Sequence, residues 1–288
     1  MIKTILVRAM GDQTDTPVYA TAAAVARLFG AHIDALHVRV DPAELATTMS
    51  TEGAGGPLLG GIIDSLTKDA DSAEASARTL FSEFCRREEL PSVTRPVEAS
   101  GPSSRFNVET GQGAQWMGLY GLTADLAVAS RGIPGSDAEA RSTLEALLLA
   151  TGRPLLIPGA LAAPPDFADR ITVAWKPTPQ SARAVAFAMP FLSRAKHVRV
   201  LTVEEEEPRR DEAQRLVDYL GWYEIKSSVE RLSPGAKGAA STMLAAAAAR
   251  GGMLVMGGYG HTRFREWIFG GFTQFVLDHA EMPVLMAH

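Results

Sequence analysis

Short apolar runs alternate with longer amphipathic stretches along the chain, which is the pattern of a parallel α/β sheet. In the first half, apolar runs predict strands at residues 4–7, 32–40, 93–99 and 125–130. Between them, the period of the apolar residues predicts helices at 17–29, 62–87 and 107–122. Gly30, directly after the first of these helices, is a typical helix terminator.

The same alternation continues in the second half. It predicts strands at residues 171–175, 197–203, 224–232, 253–256 and 284–287. The predicted helices are 181–194, 211–220 and 241–250. Between the halves, Pro164 and Pro165 in a stretch of small residues mark a linker. We therefore predict one domain at residues 1–160 and a second at 166–288.

The two halves are weakly similar at a shift of 128 residues, which indicates an internal repeat. The shift sets residues 126–129 on 254–257 and Gly132 on Gly260. A loop and a helix then lead in each half to an apolar strand that begins with a proline, Pro154 or Pro283, with a slip of one residue. The repeat predicts two fused copies of one small α/β fold.

A cluster of glycines follows the predicted strand 253–256. Gly257 and Gly260 are two residues apart, nine residues separate Gly260 from Gly270, and Thr273 comes three positions later. Glycines at a strand end permit close backbone approach to a ligand, and the N-terminus of the next helix attracts anions. The spacing favours a phosphate site, and the alternative is a set of turn and cap glycines that pack the loop.

This spacing, G-x2-G-x9-G followed by Ser or Thr, resembles the universal stress protein family, and so does the closing Pro-Val-Leu strand. The resemblance covers nearly the whole chain as a tandem pair of domains. It implies in each half a five-stranded parallel sheet with helices on both faces, an adenine nucleotide alpha hydrolase-like fold packed as a pseudo-dimer. It also implies that Gly257, Gly260, Gly270 and Thr273 line the phosphates of ATP or a related adenine nucleotide.

Two positions depart from the family pattern. Gly271 stands where a Ser or Thr is common, and the first strand of the second half ends in Ala174, Trp175 and Lys176 where an acidic residue is expected. A cation at Lys176 can attract phosphate but cannot accept a hydrogen bond as a carboxylate does. We include Ala174, Lys176 and Gly271 among the candidate nucleotide-binding residues, and Trp175 either stacks on a base or packs in the core.

The first half departs further from the motif. At the shift of 128, Ala129, Gly132, Ser142 and Thr143 occupy the motif positions. Its first strand ends in Arg8, Ala9 and Met10 without the acidic residue, although Asp12 is near. We therefore expect the first half to be a degenerate scaffold that packs on the second.

Composition removes several classes of function. The chain of 288 residues has a net charge of -5 and no dense cluster of basic residues, which argues against nucleic acid as a partner. It has neither a signal-peptide pattern nor an apolar run long enough for a membrane span, and its single cysteine, Cys85, fits a reducing compartment. We expect a cytoplasmic protein. His37, His197, His279 and His288 lack metal-ligand spacing, so no metal is expected.

Two functions remain open from the sequence. The first is an adenine-nucleotide-binding stress or regulatory protein whose site lies in the second half, with His261, Arg263 and Arg265 either near the phosphates or solvated. The second is an interaction or scaffold protein of the same fold whose site has decayed or changed its ligand. No catalytic residue can be assigned, although slow ATP hydrolysis stays open, as does a homodimer.

Overall fold

The structure is a computed structural model that describes residues 1–42, 58–95, 101–132, 138–159, 163–203, 212–258 and 271–288. Its N-terminal half contains five strands and four helices among these residues. The strands are β1 (Thr4–Arg8), β2 (His32–Arg39), β3 (Ser103–Thr110), β4 (Leu126–Val128) and β5 (Leu155–Ile157). The helices are α1 (Asp15–Phe29), α2 (Leu58–Arg87), α3 (Gly113–Gly121) and α4 (Ala138–Ala150).

The described part of the C-terminal half has the same order of elements, with five strands and four helices. The strands are β6 (Arg170–Ala174), β7 (His197–Val203), β8 (Ser227–Leu232), β9 (Met253–Gly257) and β10 (Val284–Ala287). The helices are α5 (Pro179–Leu192), α6 (Glu212–Gly221), α7 (Gly238–Arg250) and α8 (Gly271–His279). Two strands, β7 and β10, have the predicted bounds.

All ten strands form one sheet in the order β3-β2-β1-β4-β5-β10-β9-β6-β7-β8. Neighbouring strands are parallel within each half, and the halves meet through the antiparallel pair β5 and β10. In that pair Leu156 lies opposite Leu285, flanked by Ile157 opposite Val284 and Leu155 opposite Met286. The halves are therefore related by a pseudo-twofold axis at Leu156 and Leu285, which confirms the predicted α/β architecture and pseudo-dimer.

Each face of the sheet is covered by helices from both halves. One core contains Val18 of α1, Phe81 of α2, Phe191 of α5 and Leu216 of α6. The other core contains Met117 of α3, Leu147 of α4, Met243 of α7 and Val276 of α8.

The helices of the two halves also contact each other near the axis. The rings of Phe29 and Phe191 pack edge to face with centroids 5.0 Å apart, and the Arg194 guanidinium lies 4.9 Å from the Phe29 centroid. On the opposite face, Arg141 donates to the Gln274 side chain over 3.1 Å. These contacts hold both pairs of central helices together across the axis.

The repeat register differs from the shift of 128. Val7 pairs with Val128 and Val173 pairs with Val255, so the offset between β4 and β9 is 127. Leu126 and Leu254, which the shift of 128 superposes, belong to cores on opposite faces. Side chains alternate along a strand, so an error of one residue exchanges the faces.

Two predicted elements of the first half were wrong. The third strand is Ser103–Thr110 instead of 93–99, although Ser92 makes an isolated bridge to Ser104. Because β3 takes residues 103–110, the following helix begins at Gly113 instead of residue 107. β3 lies at the edge of the sheet, and a half-exposed edge strand needs no continuous apolar run.

In the parts of the chain that the structure describes, every helix is either too short or too polar to cross a bilayer.

Candidate functional site

The strand order reverses at the same place in each half. In the C-terminal half, β7 and β8 lie on one side of β6, while β9 and β10 lie on the other. In a parallel sheet of this kind, ligands bind at the carboxyl ends of the two strands where the order reverses. The crevice at the carboxyl ends of β6 and β9 is therefore the expected position of a ligand. The carboxyl ends of β1 and β4 form its counterpart in the N-terminal half.

The ends of β6 and β9 carry two of the predicted site residues. Ala174 is the last residue of β6, is half-buried and faces the side covered by α7 and α8. Gly257 ends β9 against the first turn of α5, where an added Cβ would lie 2.5 Å from the Ser181 backbone nitrogen. Gly257 is therefore needed for close packing of β9 on α5, whether or not a ligand is present.

The next glycine connects this edge to the neighbouring half. The N-H of Gly258 donates to the Ala287 carbonyl over 2.8 Å, so this amide is already engaged. A Cβ at Gly258 would lie 3.1 Å from the Leu148 Cδ2 atom of α4.

The described part of helix α8 runs from Gly271, so the amino end of this helix lies at the same edge as the carboxyl ends of the strands. Thr273, near this end of α8, is buried. On the opposite side of the crevice, α5 begins with Pro179 after Thr178, whose hydroxyl accepts the Ser181 N-H over 3.3 Å. Helices α5 and α8, which cover opposite faces of the sheet, thus both have their amino ends at the edge where β6 and β9 end, and helix N-termini attract anions.

Lys176 and Trp175 follow directly after β6. The Lys176 side chain is exposed, and its carbonyl accepts the Thr178 N-H over 2.7 Å. The Trp175 ring packs on the core of α1 and α5, while its buried indole N-H has no acceptor within the described residues. A ligand atom at this edge could accept that hydrogen bond.

In the N-terminal half, Arg8 occupies the position that corresponds to Ala174. Arg8 pairs with Leu36 on β2 as Ala174 pairs with Leu201 on β7. The following residues also make matching hydrogen bonds, because Ala9 N-H donates to the Leu36 carbonyl and Trp175 N-H to the Leu201 carbonyl, each over 2.9 Å. Arg8 and Ala174 are therefore equivalent under the pseudo-twofold axis.

The Arg8 side chain fills the space between the end of β1 and α4. Its guanidinium donates to the Thr143 hydroxyl over 2.5 Å and forms an ion pair with Glu139. Only 7% of the residue is exposed, and an added Cβ on Gly113 of α3 would lie 2.5 Å from Nη2. The N-terminal counterpart of the crevice is thus occupied by the protein's own arginine.

A buried carboxylate organises the loop after β1. Asp15 accepts the N-H groups of Met10 and Gly11 over 2.9 and 2.8 Å, and the Tyr19 hydroxyl over 3.1 Å. Burial raises the pKa of Asp15, against the opposing effect of these hydrogen bonds, and burial also raises the pKa of Tyr19. Asp12, the acidic residue noted near the end of β1, is not this carboxylate, and neither Asp15 nor the Arg8 contact was predicted from the sequence.

Five of the residues considered for the site lie outside the described residues: Gly260, His261, Arg263, Arg265 and Gly270. The first-half motif positions also change with the corrected register, because α4 matches α8 with an offset of 129. Ser142 then corresponds to Gly271 and Leu144 to Thr273.

Across the described ranges, His, Cys, Asp and Glu side chains form no group of three or more that could hold a metal.

The C-terminal half of the chain matches a known protein family. Residues 168–288 match the model of the universal stress protein family. A universal stress protein from Archaeoglobus fulgidus DSM 4304 superposes with a TM-score of 0.71 at 14% identity, covering 99% of this chain and 95% of that one. A putative universal stress protein from Pseudomonas aeruginosa UCBPP-PA14 gives 0.59 at 17% identity, covering 99% and 93%.

The same architecture also occurs in a different protein. The cytoplasmic domain of a prokaryotic cation chloride cotransporter superposes with a TM-score of 0.51 at 8% identity, covering 100% of this chain and 96% of that one. No curated protein matches the sequence. At such identities the superpositions define the fold, and the function must be argued from the site.

Proposed function

Residues 168–288 of this chain are a universal stress protein domain, within a chain that has the fold of solved universal stress proteins over nearly its whole length, and from that premise we propose a function. The protein binds an adenine nucleotide, ATP or a close relative, in the crevice at β6 and β9. It acts as a stress or regulatory protein, and the N-terminal half is a scaffold without a second site. Members of the family can bind adenine nucleotides.

One observation carries the proposal: where the N-terminal half has the Arg8 side chain, the C-terminal half has only the Ala174 methyl group. A methyl group cannot span the gap to the helix that the Arg8 guanidinium bridges. Gly257 and Gly258 at the neighbouring strand end add no side chain either. Small residues at the strand ends are what close approach of a phosphate requires.

The charges at this edge favour an anion. Lys176 is exposed, and no ion pair with it is found within the described residues. The amino end of α8 lies at this edge and directs the positive end of its helix dipole towards the crevice. Gly260 and Gly270 belong to the proposed site through the family spacing.

The absence of an acidic residue after β6 limits the chemistry. Neither Trp175 nor Lys176 can accept a proton as a carboxylate does at neutral pH. We therefore assign binding rather than catalysis to this crevice. The domain boundaries, 1–160 and 166–288, and a cytoplasmic location are part of the same proposal.

Isothermal titration of the purified chain with ATP, ADP and AMP tests the proposal. We expect one nucleotide per chain. Lys176→Met should weaken ATP binding by about tenfold, because a hydrogen bond to a charged group contributes roughly 1.5–3 kcal/mol and this one is partly solvated. Lys196→Met is the matched control, because Lys196 is an exposed lysine that directly precedes β7. It therefore lies at the amino ends of the strands, away from the proposed site at their carboxyl ends.

The outcomes separate the two candidate functions. Absence of binding at about 1 mM of each nucleotide would contradict the proposal and favour an interaction protein with an altered site. Two nucleotides per chain would contradict the assignment of the N-terminal half as a scaffold. Equal losses in the Lys176 and Lys196 variants would remove Lys176 from the site.

A further inference from the structure

The last turn of α6 and the turn that leads from it to β8 carry three exposed aromatic residues. Trp222 is 87% exposed, Tyr223 52% and Tyr219 42%. The two tyrosine rings pack edge to face with centroids 5.3 Å apart. This group, here called the aromatic turn, lies at the amino edge of the sheet, opposite the proposed nucleotide site.

The fold does not require aromatic residues at positions 222 and 223, because the N-terminal half builds the same turn with charged residues there. Leu90 N-H donates to the Cys85 carbonyl over 2.9 Å, and Ile225 N-H donates to the Leu220 carbonyl over 3.1 Å. The residue before each of these donors, Glu89 or Glu224, has a positive φ of 55° or 61°.

The matching turns place Arg87 where the C-terminal half has Trp222, and Glu88 where it has Tyr223. In the N-terminal half these positions carry the charged side chains that are typical of a solvated surface. Glu88 forms an ion pair with Arg27 over 2.6 Å. An almost fully exposed tryptophan contributes little to its own fold, and tryptophan is enriched among residues that dominate binding at interfaces.

A shallow hollow of about 500 Å³ lies beside the aromatic turn. Its apolar lining comes from Val217, Gly221 and Ile225, and Asp218, Glu224 and Lys226 supply charges of both signs. Neither Glu224 nor Lys226 forms an ion pair with another described residue.

We propose that this surface is a homodimer interface, in which Trp222 of each chain inserts into the hollow of a second copy. A twofold interface needs complementary features on one patch, and here the projecting side chain and the hollow are neighbours. The charges are self-complementary as well, since a twofold axis can bring Lys226 of one chain to Glu224 of the other. A different protein would not require both partners of each pair on the same surface.

Sedimentation equilibrium of the whole chain without nucleotide tests this proposal separately from nucleotide binding. We expect a reversible dimer with a dissociation constant on the order of 10 µM, typical of a small interface. Trp222→Ala should raise that constant at least about tenfold, as truncation of an interface anchor does. Leu122→Ala is the matched control, because Leu122 is a 48% exposed apolar residue that follows α3 in the other half.

Charge reversal gives a second test that does not depend on the tryptophan. Lys226→Glu should weaken the dimer, and the double variant Lys226→Glu with Glu224→Lys should recover it. A wild-type chain that stays monomeric at about 100 µM overturns the proposal, and so does a Trp222→Ala variant with wild-type self-association. Failure of the double variant to recover the dimer overturns the pairing of Lys226 with Glu224.

Discussion

The N-terminal half fills the carboxyl end of its first strand with the Arg8 side chain, whereas the C-terminal half leaves the Ala174 methyl group at the equivalent position. The backbone around these residues is the same, since each strand pairs with both of its neighbours in matching register. The sheet therefore does not decide whether the crevice is filled.

The difference shows that one half can fill its crevice with a side chain without a change in architecture. Arg8 reaches Glu139 and Thr143 on α4, so the filled crevice also ties β1 to a helix near the pseudo-twofold axis. In the C-terminal half Ala174 makes no such tie, and Gly257 packs closely against α5. The Arg8 crevice therefore adds an ion pair that Ala174 cannot form in the other crevice.

The largest expected effect comes from removing the Arg8 side chain, which empties the crevice of the N-terminal half. Arg8→Ala should lower the free energy of unfolding by about 2–3 kcal/mol, because it removes a buried stem and leaves polar partners without a donor. Urea unfolding measures the change. Arg27→Ala, which removes the exposed ion pair with Glu88, is the control and should cost less than about 1 kcal/mol.

Nucleotide binding in the C-terminal half should be unaffected by the Arg8 variant. Similar losses of stability in the Arg8 and Arg27 variants would show that the buried guanidinium contributes no more than a surface ion pair.

The second-largest expected effect comes from filling the crevice of the C-terminal half with a larger side chain at position 174. Ala174→Met places a long uncharged side chain at the equivalent of Arg8 and should weaken ATP binding by at least about tenfold, since forcing extra atoms into a fitted site costs about 1–3 kcal/mol. Isothermal titration measures the loss. Ala174→Ser is the control and should bind nearly as the wild type does. Wild-type affinity in the methionine variant would place the nucleotide elsewhere.

The sequence predicts the interior strands well and one of the two edge strands poorly. β10 is buried throughout and β7 has a neighbour on both sides in the sheet, and the predicted bounds of both were confirmed. The edge strand Ser103–Thr110 has mostly half-buried residues, so its pattern is weak and the prediction was wrong. Fully buried strands carry a stronger signal because both faces must be apolar.

The wrong register of the repeat and the unpredicted Arg8 contact have causes other than weak apolar patterns at the sheet edge. Over β4, shifts of 127 and 128 each match one identical residue, Val128 with Val255 or Leu126 with Leu254, yet only the shift of 127 keeps each residue on its face of the sheet. Arg8 and Glu139 are 131 residues apart, so no local pattern predicts their contact. The strand end at Arg8 was a visible signal, since a charged residue in a buried run needs a partner.

The smallest expected effect concerns how each half closes the turn after its first strand. The N-terminal half uses the buried carboxylate of Asp15, and the C-terminal half uses the neutral hydroxyl of Thr178. Because burial raises the pKa of Asp15 in the folded state, folding takes up a proton, so this carboxyl group stabilises most below its unfolded pKa of about 3.9. That stabilisation is lost as pH rises through the folded pKa.

Asp15→Asn should therefore be compared with Thr178→Ala over a series of pH values by urea unfolding. The Asn variant loses one acceptor, at a cost of about 1 kcal/mol at neutral pH, and its deficit relative to the wild type should grow as the solution is acidified. The Thr178 variant should lose about 1 kcal/mol at every pH, because its cap does not titrate. A constant deficit for Asp15→Asn would mean that the pKa of Asp15 is the same in the folded and unfolded states, and the two turns would then respond to acid in the same way.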